Sequence, residues 1–162
     1  NKHNVLDFIL MYVGNFIGAA GSGLLLSLAV SDEVSLFAHT YVEHKLVNVG
    51  NGMGQEFYQM MIMAFFCGVL VYLAVYLFNH EKLHPVVRVL GLILCVGTFV
   101  VSGFEHCIAD MFYFGIVRYY FSSIQGNLWL SILLGSLFNA LGAVCTWLLF
   151  KFAAKTAQKV EN

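Results

Sequence analysis

The chain is short of charge. Asp, Glu, Lys and Arg together make up 10% of its 162 residues, and they nearly cancel, to a formal net charge of −1. Soluble domains carry about 25% charged residues, so a water-soluble fold is excluded for most of this length. A nucleic-acid partner is excluded too, because that would call for a clustered basic surface. Cysteine is sparse and scattered: Cys67, Cys95, Cys107 and Cys145 all lie in apolar stretches and none forms a CxxC pair. That pattern offers neither a disulfide framework nor a metal site. The single proline, Pro85, falls between two apolar runs, where it interrupts no helix. HExxH and GxSxG are absent as well, which removes the usual signs of a metalloprotease or a serine hydrolase.

What fills the chain instead is apolar. The hydrophobic fraction is 60% and the mean hydropathy +0.80, so the solvent for most of the chain is lipid. A bilayer crossing needs about 20 apolar residues. Four segments qualify, at about 5–30, 57–78, 86–120 and 128–150, which predicts an all-α, polytopic membrane protein built as one transmembrane domain. The chain begins at Asn1, and its first residues lack the apolar core of a signal peptide. The expectation is that further N-terminal sequence belongs before it.

The third segment is too long for one straight span, and Ser102-Gly103-Phe104-Glu105-His106 sits in its middle. An acid and a histidine are costly on a lipid-facing helix, and irregular backbone at that depth is tolerated only where it lines a cavity or is buried in protein. Two half-helices, about 86–101 and 107–120, are therefore predicted, joined by a loop at 102–106. Basic residues suggest the orientation. Lys2, Lys82, Arg88, Lys151, Lys155 and Lys159 fall on one side of four alternating spans, and only Lys45 and Arg118 on the other. The first side is then cytoplasmic, and 31–56 and 119–127 read as outer loops, the former with a Gly-rich stretch at 48–54.

One short repeat stands out. Asn15-Phe16-Ile17-Gly18-Ala19 in the first span recurs as Asn139-Ala140-Leu141-Gly142-Ala143 in the fourth. Chance and small-residue helix packing produce such matches. Repeats also mark transporters built from two related halves. On that reading the first span closes one three-helix half, and two spans are expected before Asn1.

Among residues that could carry chemistry, His106 leads, because it is ionisable within a span and its unperturbed pKa lies nearest neutrality. A buried histidine bonded to a carbonyl is the structural alternative. Glu105 either lines a path or pairs with a base, and Asp110 either does so or caps the second half-helix. Lys45 is an anion attractor or a snorkelling anchor. Asn15 and Asn139 read as buried amides that need hydrogen-bond partners, which neighbouring helices can supply. Trp129, Tyr119 and Tyr120 read as interfacial aromatics. Phe65, Phe66, Phe99, Phe104, Phe112, Tyr113 and Phe114 read mostly as packing, with one or two free to form an apolar constriction.

The run Ser102-Gly103-Phe104-Glu105-His106-Cys107-Ile108-Ala109-Asp110-Met111-Phe112 resembles the signature of the formate/nitrite transporter family. Leu70–Tyr76, Tyr12–Ala19 and Gly135–Ala143 are similar to that family's fourth, third and sixth helices, in the right order. The resemblance implies an aquaporin-like inverted-repeat bundle of six helices, here incomplete and matching helices three to six, assembled as a homopentamer with one pore per subunit in a prokaryotic plasma membrane. It makes His106 the central pore histidine, Phe99 a constriction residue, Asn139 a pore-lining asparagine and Lys45 a lysine of the outer vestibule. The chain departs from the family pattern in having Asp110 where Asn is usual and Gly68 where a pore Asn is common. The function implied is passage of a small monovalent anion, formate first, then nitrite, hydrosulfide or a short carboxylate, with protons as partners and no cofactor. The rival readings are an intramembrane enzyme using Glu105 and His106 as an acid/base pair, a metal or haem protein, and a non-conducting fragment.

Overall fold

An apolar chain in lipid must satisfy its own backbone, and a helix does this within one segment. The computed structural model describes residues 2–47, 56–117 and 127–160, and these fold into six helices: α1 Lys2–Ala29, α2 Asp32–Lys45, α3 Phe57–Asn79, α4 Pro85–Val101, α5 Cys107–Ile116 and α6 Leu128–Val160. Three are long and apolar enough to cross a membrane, over Asn4–Ala29, Phe57–Asn79 and Leu128–Thr156. The protein is a helical, polytopic membrane protein. The Gly-rich stretch 48–54, Arg118, Tyr119 and Tyr120 lie outside the described residues.

The helices sort into two compact units: residues 1–60 with 107–133, and residues 61–106 with 134–162. In the first, α1 packs on α5 at backbone contact. A Cβ on Gly115 would strike the Ala20 carbonyl, and one on Gly23 the Phe112 carbonyl. Small residues at the crossing matter here because lipid offers no hydrophobic drive between helices, so close van der Waals approach supplies the attraction. Around this seam lies an apolar core of Val42, Leu46, Met111, Ile116, Val117, Leu128 and Ile132. The Trp129 ring, expected at an interface, lies 4.4 Å from Phe114 and 6.2 Å from Phe16.

Residues 32–45 were expected as loop and form α2 instead. Asp32 and Glu33 occupy its first turn, and His44 and Lys45 its last. Both pairs complement the helix dipole. The face it buries includes Ser35 and Glu43 beside Val42, so hydrophobic periodicity does not reveal it. Beyond α2, Val47 and Asn127 form an isolated antiparallel bridge. The Asn127 side chain then accepts from Leu130 N–H at 2.9 Å, which caps the start of α6.

In the second unit α3 and α6 meet as closely as α1 and α5 do. A Cβ on Gly68 would strike the Asn139 carbonyl, and one on Gly142 the Phe65 carbonyl. Tyr72, Tyr76 and Phe150 extend the seam, with the Tyr76 and Phe150 rings 4.9 Å apart. Pro85 is the first residue of α4, and the His84 ring accepts from Val86 N–H at 3.3 Å. A proline at that position gives up a donor that no helix would have used.

Replacing Gly115 by Leu is expected to destabilise the protein by at least about 1–3 kcal/mol, the usual cost of overpacking. Gly97 has nothing within 4 Å of a notional Cβ among the described residues, and Gly97→Leu is expected to leave stability nearly unchanged. Thermal unfolding of the two variants in one detergent checks this.

Candidate functional site

The third apolar segment stops at Val101 and restarts at Cys107. α4 has 17 residues and α5 has 10, each short of the about 20 that a crossing needs. Local backbone bonds make the stop. Gly103 N–H donates to the Val100 carbonyl at 3.1 Å, and Phe104 N–H to the Phe99 carbonyl at 3.0 Å. Gly103 has φ 67°, the left-handed conformation that a residue with a Cβ enters at a cost. The set is a Schellman motif, which satisfies carbonyls that the end of a helix would leave open.

The turn is held from two sides within its own unit. The Phe104 ring lies 6.2 Å from Phe66 of α3. The Glu105 carbonyl accepts from the Asn139 side-chain amide of α6 at 2.8 Å. The same amide nitrogen donates to the Ala64 carbonyl of α3 at 2.7 Å. Both acceptors are carbonyls, so the nitrogen end of the amide must face them. Glu105 itself is 1% exposed. One residue on, the His106 ring stacks on Phe99, with centroids 5.5 Å apart and planes 17° apart.

Four of the expected site residues are thereby gathered in one unit: Phe99, Glu105, His106 and Asn139. Lys45 and Asp110 belong to the other. Lys45 is the half-buried last residue of α2. Asp110 is almost fully buried in the first turn of α5, three residues past the helix start. There it complements the dipole without occupying the cap position. Ala64, Phe66 and Phe104 complete the site; the two phenylalanines read mostly as packing in the sequence, and the Ala64 backbone carbonyl carries no signal of its own in an apolar run. Among the described residues, no group of three or more His, Cys, Asp or Glu side chains could hold a metal ion.

The two copies of N-x-x-G-A differ in their surroundings. Asn139 and Gly142 are engaged with α3 as described. Asn15 and Gly18 are exposed, and a Cβ on Gly18 would meet nothing within 4 Å among the described residues. They line an open groove of about 430 Å3 with Gly14, Ala19, Ser22, Ile108, Ala109 and Phe112.

The site is thus a helix broken by a glycine turn, with an ionisable pair at the break and an asparagine bracing it from α6. The formate/nitrite transporter model matches residues 3–153, and the chain belongs to that family. It is also similar to the formate channel FocA of Haemophilus influenzae, with 25% identity over 126 residues. That match covers 74% of this chain and 42% of the relative, so the chain spans less than half of that relative's length. No solved structure matches.

Gly103→Ala is expected to cost about 1–2 kcal/mol, the penalty for placing a Cβ in a left-handed residue. Gly103→Asn should cost less, since asparagine enters that region more readily. Melting temperatures of the two variants in the same detergent give the comparison, and equal values would remove the turn geometry as the cause.

Proposed function

We propose that the chain forms part of a channel for small monovalent anions, formate first, with nitrite, hydrosulfide and short carboxylates as alternatives. The observation that carries this reading is the helix break that presents His106 against Phe99, in a chain of the formate/nitrite transporter family. A bare anion pays heavily to leave water, whereas a hydrogen-bonded or protonated one crosses an apolar constriction far more easily. His106 is the group that donates the hydrogen bond or proton, and Phe99 is part of the constriction. The N-terminus of α5 adds a partial positive charge beside it, and Lys45 draws anions towards the mouth.

The wider assembly in this proposal is an aquaporin-like inverted repeat in which Asn15 and Asn139 are equivalent. It works as a homopentamer in a prokaryotic plasma membrane, with the C-terminus cytoplasmic. The name of the Haemophilus influenzae relative, a formate channel, and the family membership support the substrate class.

The test is formate flux into proteoliposomes across a pH series, using the protein as its host expresses it. His106→Asn keeps a hydrogen-bond donor but exchanges no proton. It is expected to lose the component of flux that rises with acidity while retaining an anion leak. A flux–pH profile that overlays the wild type would reduce His106 to a structural role.

A further inference from the structure

An asparagine beside a pore histidine invites the assumption that it binds the passing anion. The hydrogen-bond inventory argues otherwise. An asparagine amide has two N–H donors, and at Asn139 the nitrogen already faces two carbonyls, Ala64 at 2.7 Å and Glu105 at 2.8 Å. The side-chain oxygen is an acceptor, which repels an anion. To donate to a substrate, Asn139 would have to release one of these two backbone carbonyls.

The two carbonyls are of different kinds. Ala64 lies inside α3, a continuous helix, and is a fixed point. Glu105 lies in the non-helical stretch between α4 and α5, and its carbonyl is the last before His106. A single side chain thus ties the non-helical part of the segment to a continuous helix. The reach is set by the glycine seam. Gly68 sits against the Asn139 carbonyl and Gly142 against the Phe65 carbonyl, so the α3 and α6 backbones touch on either side of the amide. A side chain as short as asparagine spans both acceptors only because the helices are that close.

We infer that Asn139 is a positioning residue: with Gly68 and Gly142 it fixes the turn that carries His106, and it does not bind the anion. The inference rests on the proposed channel function for its consequence in transport, but its geometry can be tested without any flux. Asn139→Leu has similar shape and no donor. In that variant the His106 ring is expected to react severalfold faster with diethyl pyrocarbonate, followed by mass spectrometry of the modified peptide. His39, His44, His80 and His84 should react at unchanged rates. Asn15→Leu alters the exposed copy of the repeat and should leave His106 unchanged. Should Asn139→Leu fail to accumulate, Asn139→Asp keeps the volume and, when ionised, offers no donor, with the same expectation.

In proteoliposomes the maximal formate flux of the variant should fall on the order of tenfold or more, as displacement of a reacting group does in other sites. The flux–pH profile should shift, and the half-saturating concentration should stay nearly constant. An unchanged His106 reaction rate overturns the inference. So does a variant whose half-saturating concentration rises while its maximal flux and pH profile hold, since that is the behaviour of a direct ligand. A faster His106 reaction in Asn139→Leu, together with a wild-type protein that carries no formate, would retain the positioning role and remove the channel function instead.

Discussion

Breaking a helix inside an apolar segment frees backbone groups that lipid cannot satisfy, and the site is organised around meeting that demand. Two of the freed groups are closed locally, by the Schellman bonds from Gly103 and Phe104. A third, the Glu105 carbonyl, is closed from outside by Asn139. Removing either kind of bond leaves a polar group in surroundings where an unsatisfied one costs several kcal/mol, by the general rule for membrane interiors of roughly that size. The irregular backbone persists because the neighbouring helix completes it.

That completion depends on how close two helices can come. In water, burial of apolar surface would hold them together over a range of distances. In lipid the apolar side chains gain little by meeting one another, so contact distance decides. Each unit solves this with a pair of glycines: Gly23 and Gly115 between α1 and α5, Gly68 and Gly142 between α3 and α6. At the second seam the close approach has a further effect, because it brings the Ala64 and Glu105 carbonyls within reach of one short amide. Gly68 is therefore a structural counterpart to Asn139, although its sequence position suggests only a missing polar side chain.

The aromatic residues divide along the same lines. Phe104 anchors the turn to Phe66, whereas Phe99 is the surface on which the His106 ring rests. Trp129 packs against Phe114 and Phe16 while keeping most of its surface open, a mixed environment that suits an indole with one apolar and one polar end.

Several of these features are legible in the residues themselves. Apolar runs of about 20 residues declare membrane helices because backbone satisfaction leaves no other choice. Glycine and two ionisable side chains inside one such run mark where the helix stops, and the signature around His106 marks the family. Other features are not legible. α2 is hidden because its buried face includes Ser35 and Glu43, which read as loop. The identical pattern N-x-x-G-A gives Asn139 two carbonyl partners and leaves Asn15 in an open groove, and no property of the pentapeptide separates them. By itself the sequence determined which segments are helical in lipid and where one of them breaks, since both follow from short-range solvation and backbone conformation. Only the tertiary structure decided what Asn139 holds, because an amide's partners are set by how closely two distant helices pack.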